Sequence, residues 1–238
     1  MQVDRTGIDH VIALAGNPNT GKSTVFNALT GLRQHTGNWP GKTVTRAEGD
    51  YLHEDQRYRL IDLPGTYSLL SASVDEEIAR DFILFGRPDC TIVVVDATSL
   101  ERNLNLALQV IEITDRVVVC LNLMDEAGRR GITIDHEGLA AELGVPVVPT
   151  TARYGKGLDH LTAAVARMVS GETVTTPRPL KITGELKDAL NELIPMIEDL
   201  HHDLPNARWV ALRLLDGDYT VRQALLDGSI GELAGGDR

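Results

Sequence analysis

The sequence predicts an α/β fold: a six-stranded, mostly parallel sheet with helices on both faces, followed by a small C-terminal all-helical domain. Apolar strand-like runs alternate with segments of helical spacing as far as residue 169, which is typical of a parallel sheet. A Gly-x-x-x-x-Gly-Lys-Ser sequence at residues 16–23 joins the first strand to the first helix. A Thr- and Pro-rich extended segment, residues 173–179, separates the sheet from the helical part.

Hydrophobic spacing and turn residues place the individual elements of the sheet region. Strands are predicted at residues 10–15, 46–52, 57–62, 90–96, 116–122 and 145–149. The connection at residues 53–56 is short enough for a hairpin, so the second and third strands should form one antiparallel edge. Helices are predicted at residues 22–30, 74–85, 103–114, 135–143 and 157–169.

The C-terminal part shows helical spacing only. Helices are predicted at residues 184–200, 206–215 and 220–226, with a short one after Ser229. Pro195 predicts a kink or break in the first of them, and Asn206 and Thr220 are predicted N-caps.

Composition excludes several classes of protein. The 238 residues carry a net charge of −11, of which −4 lies in residues 177–238, so a nucleic-acid-binding surface is not expected. Two cysteines, Cys90 and Cys120, lie in apolar strand-like runs and are predicted to be free buried thiols. No apolar run reaches the length of about 18–20 residues that a bilayer crossing needs, and no signal-peptide core is present.

The Gly-x-x-x-x-Gly-Lys-Ser sequence predicts a phosphate-binding loop. Gly16 and Gly21 let the backbone curl so that its N–H groups point at a phosphate, and the following helix directs its positive end there. Lys22 would lie over the β and γ phosphates, and the Ser23 hydroxyl would ligate magnesium. The predicted phosphate-binding residues are Gly16, Asn17, Pro18, Asn19, Thr20, Gly21, Lys22, Ser23 and Thr24.

Three later segments indicate guanine rather than adenine. Asp62-Leu-Pro-Gly65 ends an apolar strand, where Asp62 would reach magnesium through water and Gly65 would contact the γ-phosphate. Asn122-Leu-Met-Asp125 follows another buried strand, and the Asp125 carboxylate can accept hydrogen bonds from the N1–H and 2-amino groups of guanine.

Adenine has neither donor, so Asp125 would stay desolvated and unpaired beside it, a cost of about 1–3 kcal/mol. The third segment, Thr150-Thr-Ala-Arg153, can place the Ala152 N–H on the guanine oxygen. Further predicted contacts with the nucleotide come from Gly41, Thr43, Asn122, Met124 and Thr151. ATP remains the alternative nucleotide.

These motifs as a set resemble the translation-factor branch of small GTPases, and therefore imply a P-loop GTPase fold. His35-Thr-Gly-Asn-Trp-Pro-Gly-Lys-Thr-Val44 narrows the resemblance to the switch I segment of the cytoplasmic G-protein domain of the bacterial ferrous iron transporter B (FeoB) family, which reads Val-Gly-Asn-Trp-Pro-Gly-Val-Thr-Val. This chain departs from that pattern at Thr36 and Lys42. The segments 62–69, 95–104 and 122–125 are similar to the family as well.

The resemblance implies a division into a GTPase domain at residues 1–172, a linker at 173–179 and a helical coupling domain at 180–238. It implies a soluble cytoplasmic piece attached to the inner membrane through a permease region outside this chain, and leaves self-association through that membrane part open. The helical tail is expected to pack on the GTPase domain and to raise its affinity for GDP, most plausibly by slowing GDP release.

Hydrolysis of GTP is expected to rely on positioning of the phosphates and the attacking water and on stabilisation of the charge that develops in the transition state. Ser23, Thr43 and Asp62 are the predicted magnesium partners, and the predicted catalytic residues are Asn19, Lys22, Thr43 and Gly65. Thr66 stands where Ras-like GTPases have a water-orienting Gln and is too short for that role. Switch I has no Arg before Thr43 in its predicted segment, so hydrolysis is expected to be slow or helped by another group.

A potassium ion is predicted to assist GTP hydrolysis. Asn19 can either shape the phosphate loop or ligate a cation, and its residue type leaves both open. The resemblance favours potassium, with the backbone carbonyls of Gly37 and Trp39 completing its cage. Trp39 itself is expected to be a mobile landmark of switch I.

Two other functions compete with a transporter GTPase. A soluble GTPase of ribosome or tRNA maturation shares the motifs but normally appends a basic domain, whereas this tail is acidic. A conformational switch with negligible turnover is the other, because the Gln is missing. His201-His202 is interpreted as a solvated surface pair, and the two cysteines do not form a metal-ligand set.

Overall fold

A seven-stranded sheet forms the centre of the computed structural model. The structure describes residues 6–31, 34–39, 42–70, 73–177, 182–202 and 204–228. The strands are β1 (His10–Gly16), β2 (Gln34–Asn38), β3 (Thr45–His53), β4 (Gln56–Asp62), β5 (Cys90–Asp96), β6 (Val117–Asn122) and β7 (Val147–Pro149). Their order across the sheet is β2-β3-β4-β1-β5-β6-β7, and β4, β1, β5, β6 and β7 run parallel.

The predicted hairpin and antiparallel edge are confirmed. β3 pairs antiparallel with β4 from Ala47↔Asp62 to His53↔Gln56. The turn residues Glu54 and Asp55 both adopt positive φ (49° and 64°), as a two-residue hairpin turn requires.

The prediction of six strands is wrong, because β2 makes a seventh. Gln34-His-Thr-Gly-Asn38 has no apolar alternation, so its sequence carries no strand signal. It becomes a strand by pairing its backbone antiparallel with β3, from Gln34↔Gly49 to Asn38↔Thr45. Residues 35–38 stay exposed at the edge of the sheet, so backbone pairing and not burial makes this strand.

The helices predicted on both faces of the sheet are present. They are α1 (Lys22–Thr30), α2 (Val74–Phe85), α3 (Leu100–Ile113), α4 (Met124–Arg129), α5 (His136–Leu143) and α6 (Leu158–Val169). The predicted bounds of α1 and α2 are confirmed to the residue. α3 starts three residues before its predicted start, after a short turn that Asp96 caps through the Thr98 N–H. The six-residue α4 was not predicted.

Alternation along the central strands separates two hydrophobic layers. On β1, Ile12 and Leu14 pack with α1 and α6, while Val11 and Ala13 point to the opposite layer. That opposite layer contains buried residues of α2, α3 and the C-terminal helices.

In the described residues, the C-terminal part contains α7 (Glu185–Leu200), α8 (Ala207–Leu215) and α9 (Tyr219–Leu226). Pro195 lies inside α7 and the helix is unbroken there, so the predicted break is wrong. Pro195 is exposed, and the carbonyl that loses its donor can therefore bind water. The predicted helix after Ser229 lies outside the described residues.

One predicted N-cap of the C-terminal part is confirmed and the other is wrong. Asn206 caps α8, its Oδ1 accepting from the Trp209 N–H at 2.9 Å. Asp218, not Thr220, caps α9, because the helix begins at Tyr219 and Asp218 Oδ1 accepts from both the Thr220 and Val221 N–H groups.

The three C-terminal helices rest on the layer that α2 and α3 form on the sheet. Leu190, Ile197, Trp209, Val210 and Val221 are buried in that same cluster. Polar contacts reinforce the packing of the C-terminal helices on α3. Asn206 Nδ2 donates to the carbonyls of Glu112 and Ile113 at the end of α3, each at 2.9 Å.

The segment leading to these helices follows the surface of the sheet region. The Thr175 hydroxyl donates to the Asp115 carbonyl at 2.8 Å, and the Thr176 N–H donates to the Gly144 carbonyl at 3.0 Å. Gly144 has φ +72°, and any Cβ there would collide with the Thr176 backbone. Within the described part of the chain, no helix combines the length and the apolarity needed to span a bilayer.

Asn206→Ala should lower the free energy of unfolding by about 2 kcal/mol, because it removes both the α8 cap and the donor to the end of α3. Asn206→Ser keeps a capping oxygen and should lose about half as much. Urea unfolding measures both. Equal losses for the two variants would show that the cap contributes nothing.

Candidate nucleotide-binding site

The predicted phosphate loop lies at the carboxyl edge of the sheet, between β1 and α1. Gly16 ends β1 so close to β5 that a Cβ would stand 2.9 Å from the Val94 carbonyl oxygen. Gly21 precedes α1 with φ +83°, and a Cβ there would clash with the Asn122 amide nitrogen. Both glycines are therefore required by the geometry of the loop.

Inside the loop, backbone and side chains divide their roles. Asn17 is buried, and its carbonyl oxygen accepts from the Thr20 hydroxyl at 2.9 Å, which closes the turn. Asn19 is exposed and has φ +69°, a conformation that Asn tolerates better than most residues. Ser23 and Thr24 are exposed in the first turn of α1, whose N–H groups can bind an anion.

Lys22 links the phosphate loop to the end of β4. Its Nζ pairs with Asp62 Oδ1 and donates to the Leu63 carbonyl at 2.8 Å. Burial raises the pKa of Asp62 above its ordinary value, and the ammonium of Lys22 opposes that shift. The pair places one cation and one carboxylate together where phosphates and a metal are predicted.

Asn122 joins three loops at this edge. Its Nδ2 donates to the Thr20 carbonyl at 3.0 Å, and its Oδ1 accepts from the Ala152 N–H at 3.1 Å and the Thr150 hydroxyl at 3.2 Å. Asn122 was predicted as a nucleotide contact, and here its buried amide holds the loops in place. The Ala152 N–H, predicted to meet the guanine oxygen, is in this structure bonded to Asn122.

Asp125 lies in the first turn of α4, just past β6. It pairs with Arg129 one turn later, Nη1 to Oδ2 at 3.0 Å. Leu123 before it has φ +63°, and the Met124 N–H donates to the Thr150 carbonyl at 3.2 Å. Thr151 is buried beside them and its N–H donates to the Lys156 carbonyl at 3.0 Å.

The segment after Asp62 lies against the phosphate loop. A Cβ on Gly65 would meet Pro18 at an ordinary 3.7 Å, so the two loops are adjacent without a clash. Thr66 is buried and its hydroxyl donates to the Ser68 carbonyl at 2.6 Å. Its side chain is thus engaged within its own loop.

Sequence reasoning missed Gln109 of α3. Its Oε1 accepts from the Leu69 N–H at 2.6 Å and from the Ser68 hydroxyl at 3.2 Å, which anchors the segment after Gly65. A lone Gln at a helical position carries no signal of such a contact, since the segment it anchors lies 40 residues away.

The switch I segment places one of its predicted residues in the hydrophobic core and leaves others exposed. Trp39, expected to be a mobile landmark, is 1% exposed and packs edge-on against Phe82 of α2 with ring centroids 5.5 Å apart. The Arg46 guanidinium lies over the indole ring, 5.2 Å from its centroid, and the Trp39 carbonyl accepts from the Lys42 N–H at 3.0 Å. Gly37 and Thr43 are exposed, and Gly41 lies outside the described residues.

The chemistry of the predicted magnesium partners suits that ion. Ser23 and Thr43 offer hydroxyl oxygens and Asp62 a carboxylate, an all-oxygen set of the kind that Mg²⁺ prefers.

Comparison with known proteins identifies the family. The family model for ferrous iron transport protein B matches residues 10–165, and the model for the FeoB cytosolic helical domain matches residues 183–234. The chain belongs to the FeoB family. It is 42% identical over 217 residues to the Fe(2+) transporter FeoB of Shigella flexneri, covering 89% of this chain and 27% of that protein. The chain thus spans about a quarter of the length of the curated relatives it matches.

Solved structures agree. The cytosolic domain of the T. maritima FeoB iron transporter in apo form superposes with a TM-score of 0.84 at 35% identity, covering 96% of this chain and 88% of that one. Its GDP form I and its GMPPNP form give TM-scores of 0.83 and 0.82, also at 35% identity, covering 96% of this chain and 86% and 88% of theirs. The fold class expected from the sequence and the resemblance to FeoB are both confirmed.

The remaining polar candidates of this FeoB chain are not part of the site. Cys90 and Cys120 are free and buried as predicted, and burial raises the pKa of each thiol to about 12, so both are protonated at neutral pH. His202 is exposed and His201 is half-buried. In the described residues, no three His, Cys, Asp or Glu side chains gather as a metal-ligand group.

Gly21→Ala should destabilise the FeoB chain by about 3 kcal/mol, since it adds a clash with Asn122 to the cost of a left-handed backbone. Gly171→Ala is the matched control, because Gly171 has φ +80° with open space around it. That control should cost only about 1–2 kcal/mol. Denaturant unfolding compares them, and equal costs would contradict the packing of Gly21 on Asn122.

Proposed function

We propose that this chain binds and hydrolyses GTP as the regulatory cytoplasmic domain of a ferrous iron transport system. One observation carries the proposal: the phosphate loop, Asp62, Asp125 and the 150–152 loop lie at one sheet edge, where the Asn122 amide ties the phosphate loop to the 150–152 loop and Lys22 ties it to Asp62. In parallel α/β sheets this edge is where ligands bind.

Phosphate binding would fall to the loop backbone, the first turn of α1 and Lys22. The lysine already lies beside Asp62, so it would exchange one anionic partner for the β and γ phosphates. The T. maritima FeoB domain solved in GDP and GMPPNP forms supports a guanine nucleotide here.

Base recognition would fall to Asp125. The carboxylate would accept from N1–H and the 2-amino group of guanine, and Arg129 would hold it from the far side. Asn122 acts one step away, because it positions the phosphate loop and the 150–152 loop relative to each other.

Magnesium would supply charge neutralisation between the phosphates. Ser23 and Thr43 would ligate it through their hydroxyls, and Asp62 through water. Gly65 would offer its N–H to the γ-phosphate, and the loop it begins is braced by Gln109.

Hydrolysis is proposed to be slow and stimulated by potassium. Thr66 is held within its own loop, so another group must orient the attacking water or stabilise the charge. Asn19, exposed in the phosphate loop, and the carbonyls of Gly37 and Trp39 would hold a K⁺ ion. Thr66 is buried and its hydroxyl is bonded to the Ser68 carbonyl, which also supports the second candidate, a nucleotide switch with negligible turnover.

The proposed whole system includes a membrane permease region outside this chain. The arrangement proposed is a G domain at 1–172, a linker at 173–179 and a helical coupling domain at 180–238. The acidic tail makes an RNA-maturation GTPase the weaker alternative.

Asp125→Asn should weaken GDP binding by about 10–100-fold, because a charge-assisted pair with the base is lost. Xanthine nucleotides, whose 2-oxo group matches an amide donor, should regain affinity. Titration against a fluorescent GDP measures both. Glu126→Gln, which also changes an Arg129 partner, is the control and should leave GDP binding unchanged. Equal competition by ATP against the unaltered chain would exclude a guanine site.

GTP turnover should be several-fold faster in potassium than in sodium at matched ionic strength. Asn19→Gly keeps the positive φ and removes the carboxamide, so it should abolish the difference while preserving GDP binding. Asn19→Asp keeps an oxygen ligand and should retain part of it. Equal rates in both salts for the unaltered chain would assign Asn19 a purely conformational role.

A further inference from the structure

Helix α2 contacts both the switch I segment and the C-terminal tail, here the helices α7–α9. It follows the segment that begins at Gly65, and Ser73 caps it by accepting from the Glu76 N–H at 3.2 Å. Ile78 and Phe82 anchor it in the hydrophobic layer on which the tail rests. A displacement of this helix therefore reaches both partners.

Helix α2 contacts switch I through an ion pair and an aromatic contact. Lys42 Nζ lies 3.0 Å from Glu77 Oε2, and both side chains are about one-third exposed. Trp39 of the same segment packs on Phe82. Lys42 directly precedes Thr43, the residue proposed to close on the nucleotide, so closure of Thr43 must move or break this ion pair.

One turn from Glu77, α2 holds the tail through Arg80, which is 4% exposed. Its Nε donates to Asp81 at 2.7 Å, and its Nη1 donates to the Thr220 hydroxyl at 3.4 Å and lies 3.9 Å from Asp218 Oδ2. Asp218 is the N-cap of α9, and its Oδ2 is buried without a hydrogen-bond partner among the described residues.

The Arg80–tail contact is poised to respond to small movements. Asp218 Oδ1 is satisfied by the first turn of α9, whereas the buried Oδ2 has only the Arg80 guanidinium facing it, at the outer limit of an ion pair. A shift of α2 by a fraction of an ångström either shortens this pair into a hydrogen bond or breaks it. Glu77 and Arg80 are one helical turn apart, so both contacts move together.

We propose that α2 couples switch I to the tail, with the Lys42–Glu77 ion pair as its input and the Arg80 contact with Asp218 and Thr220 as its output. This coupling rests on the proposed function as a guanine-nucleotide switch. It gives the tail a physical route to nucleotide affinity, since whatever stabilises one arrangement of α2 biases switch I.

A double-mutant cycle on the full chain tests the coupling through the rate of fluorescent GDP dissociation. Lys42→Met removes the input, and Asp218→Asn removes the charge facing Arg80 while keeping a capping oxygen. Each should accelerate release by about fivefold, and the double variant by no more than the larger single effect. Lys187→Met and Asp216→Asn are matched surface controls and should change nothing.

The coupling would be overturned if the double variant accelerated GDP release by the product of the two single accelerations. It would also be overturned if neither single substitution changed the release rate. Two failures are distinguishable on the full chain. If the full chain does not bind GDP, the proposed function and the coupling both fail. If it binds GDP and the two substitutions act independently on GDP release, only the route through α2 fails.

Hydrogen exchange gives a readout independent of release rates. Amides of α9 should exchange at different rates with GDP and with a non-hydrolysable GTP analogue. Lys42→Met, on a side chain that is about one-third exposed and far from α9 in sequence, should remove that difference. A difference that persists in this variant would overturn the coupling.

Discussion

The Asn122 amide is the interaction on which the site depends. It is buried at the end of β6 and bonds the phosphate loop through Thr20 and the 150–152 loop through Ala152 and Thr150. Removing this side chain would leave the Thr20 carbonyl and the Ala152 N–H without their partner, at a cost of about 1–3 kcal/mol of stability for each group. Gly21 owes its lack of a side chain partly to the same amide, which fills the space where a Cβ would lie. The three loops are therefore fixed relative to one another before any ligand contributes.

The hydrophobic layer on the face of the sheet that carries α2 and α3 has a different role. Its hydrophobic cluster extends without interruption from β1 and β5 through α2 and α3 to Leu190, Trp209 and Val221 of the tail. Asn206 closes the seam with hydrogen bonds to the end of α3. The tail is thus an extension of the sheet's core, and it packs against α3 and against α2, which also contacts switch I.

Local signals predicted much of this arrangement. The bounds of α1 and α2 and the β3–β4 hairpin follow from apolar periodicity, caps and short connections, which act between residues near in sequence. The α9 cap was assigned two residues too late, because several residues there can cap and packing selects the helix start. The edge strand β2 was missed because it exists only through pairing with β3.

The sequence by itself determined the chemistry: the phosphate loop, the Asp62 and Asp125 carboxylates, and the family to which the chain belongs. These are carried by residue type and spacing, which need no partner from elsewhere in the chain. Only the tertiary structure decided what each polar group faces. It showed that the Asn122 amide bonds two loops, buried Trp39 in the hydrophobic core, and brought Gln109 and Arg80 to distant segments. Such contacts join residues 40 to 140 positions apart, so no local pattern records them.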